Sequence, residues 1–294
     1  MFTAPLSGAE HRGREANDAN NKMREQMVVA LLNCSPQVED PAFDSLRGHT
    51  EAYVFKLKNE YEISEDAPVR ATLMAGRRHN YDISLKIGPK TFEVEFKYGA
   101  SSVKDLPEFF NPAANKDYHQ GESYARFFYR TALAQVCSIY GLDLATYPMT
   151  EDEYATKVHG TSKKPALFKA LYDAEKAGTE EQKAAKKKIV DESIEEWLNQ
   201  VKDKTDIAAI SVGLKNSQTM KKFLLCKDGV FYSDSIPADA LELTGALSVR
   251  KGKYLVLETK MPGTSVEMLL RWKNHAGILY PAWQISMRMT KDKK

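Results

Sequence analysis

The sequence has little cysteine, no long apolar run and almost no net charge. Its 294 residues include three cysteines, Cys34, Cys137 and Cys226, whose odd number and wide spacing argue against a disulfide framework or a zinc site. No segment approaches the roughly 20 apolar residues that a membrane-spanning helix needs, and residues 1–14 lack the pattern of a signal peptide. We therefore expect a cytoplasmic protein in which the cysteines are core thiols.

The net charge of +2 excludes nothing, but its distribution along the chain is uneven. Residues 207–294 contain 14 Lys and Arg against 7 Asp and Glu, whereas acidic residues outnumber basic ones in residues 1–206. A basic part joined to an acidic part suits a protein that binds phosphates with one and holds a divalent cation with the other. A chance asymmetry of surface charge explains the same numbers equally well.

Two kinds of periodicity divide the chain into helices and strands. Ser7-Gly-Ala-Glu10 is a capping-box pattern followed by apolar residues at helical spacing, which predicts a helix over residues 8–33. A second amphipathic helix is predicted over residues 121–140 and a charge-dense helical stretch over residues 151–204. The aromatic and β-branched content of residues 51–63 favours strand or irregular structure. Further strands are predicted at residues 80–99, 207–213, 222–227, 230–232, 246–249, 254–260 and 282–289.

This order of elements predicts an α/β fold of the α+β type, with a central mixed β-sheet flanked by helices. Residues 1–150 are expected to form the first part of the core and residues 151–206 a charged helical insertion. Residues 207–294 are expected to form a basic, β-rich part that completes the core and contributes to nucleic-acid binding.

The most regular pattern lies in residues 80–99. Apolar and polar residues alternate on both sides of the turn segment 86–90, which predicts a hairpin with one apolar and one polar face. With the turn centred on its Gly-Pro pair, Asp82 lies opposite Glu95, and the two Cβ atoms are roughly 5 Å apart. Glu95 and Lys97 are two residues apart, so both side chains leave the strand by the same face. The hairpin therefore gathers two carboxylates and an ammonium group.

Two facing carboxylates repel each other unless a cation lies between them. Mg²⁺ prefers oxygen ligands and is commonly held by one or two carboxylates together with a substrate phosphate. Asp82 and Glu95 are therefore candidate ligands for Mg²⁺, with Mn²⁺ as a substitute. Such an ion polarises a scissile phosphate and helps to make hydroxide from water, while Lys97 orients that water or stabilises the developing negative charge.

Asp82 together with Glu95-Phe96-Lys97 resembles the PD-(D/E)XK nuclease superfamily, the fold shared by many restriction enzymes, junction resolvases and phage exonucleases. The resemblance covers about twenty residues, and Tyr81 stands where the family has proline. It implies a restriction-endonuclease-like core in which Asp82, Glu95 and Lys97 are catalytic. In the family a glutamate from the preceding helix often joins the metal ligands; Glu15 and Glu25 are the candidates, and Glu15 is preferred.

Glu258-Thr259-Lys260 is a second E-x-K pattern, at the end of a predicted strand. With the preceding turn centred on residues 251 and 252, the residue opposite Glu258 is Gly245, which is not an acid. Asp239 or Asp234 would have to approach from elsewhere in the chain. The sequence leaves open whether this pattern or the hairpin at residues 80–99 forms the site.

Basic and polar side chains in two segments are candidates for contact with nucleic acid: Arg77, Arg78, His79, Arg271, Lys273, Asn274 and His275. The first three precede Asp82, where positive charge would guide a phosphate to the acids; a plain surface turn is an equal alternative. In the second segment the cations suit phosphates and the last two side chains suit base edges. A loop is predicted to follow at residues 277–283, and Lys221 and Lys222 add charge without a pattern.

These features, with the resemblance, predict a Mg²⁺-dependent endonuclease that cuts double-stranded DNA in the manner of a type II restriction enzyme. A structure-specific nuclease, such as a junction resolvase or a repair nuclease, is one alternative, and an RNA-cleaving member of the superfamily is another. A non-catalytic nucleic-acid-binding protein that keeps the fold is a third. Many restriction enzymes read symmetric sites as homodimers, so the resemblance also implies a homodimer.

Overall fold

The computed structural model describes residues 14–74, 79–103, 118–119, 123–158, 165–275 and 278–289. The chain forms two compact units, one of residues 1–106 with 215–238 and the other of residues 107–214 with 239–294. Each unit combines helices with a β-sheet of its own. The expectation of a protein that combines α-helices with β-sheet is therefore confirmed, and the α+β type is compatible with this arrangement.

The helices of the described residues are α1 (Arg14–Leu32), α2 (Asp44–Glu60), α3 (Tyr124–Thr131), α4 (Leu133–Ile139), α5 (Glu151–Lys157), α6 (Ala166–Ala177), α7 (Glu180–Val201) and α8 (Ile207–Gln218). The strands are β1 (Val69–Leu73), β2 (Ile83–Ile87), β3 (Lys90–Tyr98), β4 (Lys221–Lys227), β5 (Val230–Asp234), β6 (Leu243–Arg250), β7 (Tyr254–Thr259), β8 (Thr264–His275) and β9 (Ile278–Met289). Among the described helices, none is both long and apolar enough to cross a bilayer.

The first unit is built on a mixed five-stranded sheet in the order β1-β2-β3-β4-β5. Neighbouring strands are antiparallel except β3 and β4, which run parallel. Parallel neighbours need a long crossover connection, and residues 107–214 of the second unit lie within it. Because β4 and β5 join the first sheet, the first unit is built from two separate parts of the chain.

Helices α1 and α2 cover the apolar face of this sheet. Val28 and Leu32 of α1 and Tyr53 and Leu57 of α2 are buried against one set of strand residues: Ala71, Ile83, Leu85, Ile87, Phe92, Val94, Phe96, Leu224 and Cys226. Successive strand residues point to opposite faces. The core therefore fixes the other face of β3 as the side from which Glu95 and Lys97 project.

The hairpin of β2 and β3 has the register that the sequence predicts. Ile83 pairs with Val94, and the N–H of Asp82 donates to the carbonyl of Val94 at 3.1 Å. The strands are joined by two residues, of which Gly88 has φ +54°, a conformation that glycine adopts without steric cost. Asp82 thus lies one step beyond the ladder, opposite Glu95.

The prediction of strand or irregular structure for residues 51–63 is wrong, because most of this segment lies in α2. Its buried residues Thr50, Tyr53 and Leu57 recur every three or four positions, which is the period of a helix. The helical burial pattern here outweighs the β propensity of the individual residues.

The strand predicted at residues 207–213 is also wrong, because this segment belongs to α8. The carboxylate of Asp206 accepts a hydrogen bond from the N–H of Ala209 at 2.8 Å and so caps the helix start. Ile210 and Leu214, four residues apart, are both fully buried. The apolar run therefore buries one helical stripe rather than alternate strand positions.

The second unit contains most of the helices and an antiparallel sheet in the order β6-β7-β8-β9. The helix predicted at residues 121–140 is divided at Ala132 into α3 and α4, and the helical prediction for residues 151–204 is confirmed by α5, α6 and α7. The loop predicted at residues 277–283 is wrong, because β9 begins at Ile278 and pairs with β8 along its whole length.

The cysteines lie in different environments. Cys137 and Cys226 are buried, as expected of core thiols, whereas Cys34 is exposed. Cys34 lies two residues after the end of α1 and has φ +48°. The expectation of a core thiol is therefore wrong for Cys34, because the chain reverses there at the surface.

We expect Leu85→Ala to lower the free energy of unfolding by about 2–5 kcal/mol, because the substitution leaves a cavity in the core beneath the hairpin. Lys86→Ala, at the exposed neighbouring position of β2, is the matched control and should change it by less than about 0.5 kcal/mol. Urea unfolding followed by tryptophan fluorescence and circular dichroism measures both. Equal losses in the two variants would contradict the assigned faces of the sheet.

Candidate active site

The hairpin brings Asp82, Glu95 and Lys97 together at its end away from the turn. The ammonium Nζ of Lys97 lies 2.5 Å from Oε1 of Glu95 and 3.9 Å from Oδ2 of Asp82. The same oxygen of Asp82 accepts a hydrogen bond from the backbone N–H of Phe96 at 2.9 Å. The register of the strands, which places these residues opposite each other, thus produces one cluster of two carboxylates and an ammonium group.

A second ammonium group completes the cluster from the neighbouring strand. Lys221, the first residue of β4, is 3% exposed, and its Nζ lies 3.1 Å from Oε2 of Glu95. Both oxygens of Glu95 therefore contact a lysine. The sequence pattern marked Lys221 only as one of two adjacent charges, because its burial depends on the pairing of β4 with β3, which the local sequence does not encode.

Helix α1 contributes a third carboxylate, Glu25. Burial and the negative charges of Asp82 and Glu95 raise the pKa of Glu25 to about 7, while Lys97 acts in the opposite direction. Glu25 is partly buried and lies about one helical turn before Val28 of the core. That spacing is the sequence signal that favours Glu25.

The preferred candidate, Glu15, has its backbone in α1, but its side chain lies outside the described residues. Ten residues separate it from Glu25. Helix geometry therefore places its Cα about 15 Å further towards the N-terminus and about 80° round the axis. Glu25 is the helix carboxylate whose charge interacts with those of Asp82, Glu95 and Lys97.

The protonation of the cluster follows from its burial and crowding. Burial, and next the charge of Glu95, raises the pKa of Asp82, while Lys97 and the N–H of Phe96 oppose the rise. Burial alone would lower the pKa of Lys97, but the charges of Glu95 and Asp82 outweigh it and raise that pKa above its usual value. Lys97 is therefore an ammonium group at neutral pH, able to donate hydrogen bonds and to balance negative charge.

The donor set of the cluster fits a hard divalent cation. No group of three or more carboxylate, imidazole or thiolate side chains among the described residues forms a ready-made metal cage. Two carboxylates with open positions for water and phosphate are, however, a common way of holding Mg²⁺. Burial is the first cause of the raised pKa values of Glu25 and Asp82, and the negative charges of the neighbouring carboxylates add to it. A further cation beside these acids would lower both pKa values.

Of the other candidate residues, His79 and Arg271 have described side chains. His79 is exposed, with its ring 5.4 Å from that of Tyr81. Arg271 is exposed on β8, in the second unit. The remaining candidates lie outside the described residues, entirely or in their side chains: Arg77, Arg78, Lys273, Asn274 and His275.

The second E-x-K pattern gathers no comparable group. Glu258 and Lys260 are both exposed. The pairing of β6 with β7 differs by one residue from the predicted register and is irregular near Gly245, whereas on the β8 side Glu258 pairs with Ser265. Lys260 lies 3.5 Å from Asp239 and 3.8 Å from Glu242, in exposed ion pairs that do not include Glu258. Neither strand that flanks β7 therefore places an acid opposite Glu258.

Comparison of the chain with protein-family models, with curated proteins and with solved structures finds no match. The case for a function therefore depends on the residues of the site themselves. Those residues are the three carboxylates and two ammonium groups described above.

Proposed function

We propose that this protein is a Mg²⁺-dependent endonuclease of the PD-(D/E)XK type that hydrolyses phosphodiester bonds of double-stranded DNA. The observation that carries the proposal is the position of the Lys97 ammonium, 2.5 Å from Glu95 and 3.9 Å from Asp82 at the end of a β-hairpin. A catalytic lysine beside two metal-binding acids is the arrangement that this reaction needs.

Each residue of the cluster has a role in the proposed reaction. Asp82 and Glu95 would hold the cation, and the nearby negative charge of Glu25, once it is deprotonated, would strengthen cation binding. Bound Mg²⁺ supplies Lewis-acid polarisation of the phosphate and a water of lowered pKa. Lys97 donates hydrogen bonds to the attacking water or to the phosphate oxygen on which negative charge develops.

The charge of the cluster also suits a phosphate substrate. Three carboxylates and two ammonium groups have a formal charge of −1 when all are ionised, and a bound divalent cation changes it to +1. The site would therefore attract a phosphodiester only with the divalent cation bound, which is the state proposed to be active. The mixed, helix-flanked first sheet is compatible with the restriction-endonuclease-like core that the resemblance implies.

The basic candidates Arg77, Arg78, His79, Arg271, Lys273, Asn274 and His275 belong to the proposal as DNA contacts. The proposal also includes a homodimer, as in many restriction enzymes, and a cytoplasmic location. A restriction-type enzyme and a structure-specific nuclease would share this chemistry and differ in the DNA they select.

One observation favours a second candidate function, a nucleic-acid-binding protein without catalysis. Lys97 and Lys221 together contact both oxygens of Glu95. In such a protein these ion pairs would be permanent and would hold the strands together. The two candidates differ in whether a divalent cation can enter the cluster.

Supercoiled and branched DNA incubated with Mg²⁺ should be cut by the native protein and should stay intact with EDTA. We expect Asp82→Asn, Glu95→Gln and Lys97→Met each to lower the cleavage rate by about 10²–10³-fold or more, because each removes transition-state stabilisation. Gel electrophoresis measures the products, with a binding assay on uncut DNA in Ca²⁺ in parallel.

Glu258→Gln is the matched control, because it makes the same change in the second E-x-K pattern and should leave cleavage unchanged. Loss of activity in that variant alone would refute the site assignment. Discrete fragments from plasmid indicate a restriction-type enzyme, and preference for branched DNA indicates a structure-specific nuclease. Native protein that binds DNA and never cuts it would favour the second candidate.

Cation binding should depend on pH because of Glu25. A carboxyl with a pKa of about 7 is protonated at pH 6 and ionised at pH 8, and only the ionised form binds a cation. Calorimetric titration with Mn²⁺ should therefore show binding that tightens from pH 6 to pH 8 and releases protons. Glu25→Gln should flatten this dependence, whereas Glu60→Gln, on the same unit at the end of α2, should keep it. An equally steep dependence in Glu25→Gln would contradict the role of Glu25.

A further inference from the structure

Lys221 is a buried cation whose ammonium group has a defined partner within the cluster. It is 3% exposed, and its Nζ donates to Oε2 of Glu95 at 3.1 Å. Burying a lysine is unfavourable unless its charge is paired and hydrogen-bonded. Because replacing this lysine by an apolar residue would avoid that penalty, its ammonium group requires an explanation beyond packing.

The two oxygens of Glu95 are held differently. Lys97 contacts Oε1 and also lies within 4 Å of Asp82, and its side chain is about one-third exposed. Lys221 contacts Oε2 from within the sheet, where its side chain is almost fully enclosed. One ammonium group is thus placed at the accessible side of the carboxylate and the other is fixed behind it.

Asp82 and Oε1 of Glu95, both beside the more accessible Lys97, are the oxygens that would hold a divalent cation. Lys221 would keep its pairing with Oε2, so that Glu95 would present Oε1 in one orientation. Lys97 would then be available to a substrate phosphate.

We propose that Lys221 is the positioning residue of this site: it anchors Oε2 of Glu95, directs Oε1 to the divalent cation and allows Lys97 to exchange Glu95 for the phosphate. This inference rests on the proposed function. It assigns to β4 a part in a site whose other residues come from α1 and the β2–β3 hairpin. It also explains why the charge at residue 221 is enclosed rather than exposed.

The adjacent residue provides a matched control. Lys222 also pairs with a glutamate, Glu60, at 2.9 Å, but it points to the opposite face of β4 and lies near the ring of Tyr61. Lys221→Met and Lys222→Met therefore remove the same charge and break the same kind of ion pair on the same strand. Only the first alters the surroundings of Glu95.

Loss of Lys221 should separate cation binding from catalysis. We expect Lys221→Met to bind Mn²⁺ about tenfold more tightly, because a repelling positive charge is gone and both oxygens of Glu95 are free to bind. The maximal cleavage rate at saturating Mg²⁺ should fall by about 10–100-fold, the usual effect of losing a partner behind a ligand. Calorimetry of the DNA-free protein gives the first quantity, and kcat against metal concentration gives the second. Lys222→Met should match the native protein in both.

A merely structural role would produce a different pattern. The proposal would be overturned if Lys221→Met weakened Mn²⁺ binding and also lowered kcat and the melting temperature. It would equally be overturned if the variant changed neither Mn²⁺ binding nor kcat. Lys221→Gln, which keeps a hydrogen-bond donor without the charge, covers the case in which the methionine variant does not fold. We expect Lys221→Gln to bind Mn²⁺ more tightly than the native protein, with a kcat closer to the native value than that of Lys221→Met. Weaker Mn²⁺ binding in Lys221→Gln would also overturn the proposal.

Failure of the proposed function gives results that can be told apart from these. Native protein that binds no Mn²⁺ would overturn both proposals. Native protein that binds Mn²⁺ but cuts no nucleic acid would overturn the nuclease function alone, and tighter binding in Lys221→Met would then still support the role of Lys221 at a cation site.

Discussion

The enclosed carboxylate of Glu95 is the constraint on which the site depends. A carboxylate in the middle of a sheet must be compensated by cations or hydrogen bonds, and here Lys97 and Lys221 approach its two oxygens from β3 and β4. The position of β4 beside β3 therefore determines the electrostatics as well as the packing. Burial first, and then the charges of neighbouring carboxylates, raise the pKa values of Asp82 and Glu25.

The hairpin could be predicted from the sequence because its information is local. Alternating burial and a Gly-Pro turn fix the register within twenty residues, and the register alone places Asp82 opposite Glu95. The faces of the sheet follow from the same alternation. The charge-dense helices of residues 151–204 were predictable for a similar reason, since strong helix formers extend over several turns without interruption.

What the sequence did not reveal depends on contacts between distant segments. Lys221 acquires its role through a parallel pairing with β3, and nothing in the residues next to it distinguishes it from the exposed lysines of the chain. The choice between Glu15 and Glu25 depends on which turn of α1 packs against the sheet. The apolar residues of α1 do not specify that turn by themselves. The sequences of α2 and α8 contain β-branched or aromatic residues, whose individual β propensity favours a strand. The helical spacing of their buried residues is the better indicator here.

The separation of β3 and β4 along the chain has a consequence for folding. Glu95 and Lys221 are 126 positions apart, so closing that long loop is slow compared with forming the hairpin. A growing polypeptide that has emerged only as far as the middle of the second unit holds the acids of the hairpin without the buried lysine that accompanies them. The cluster reaches its final charge state only after β4 has docked, which makes its assembly a late event in the maturation of the chain.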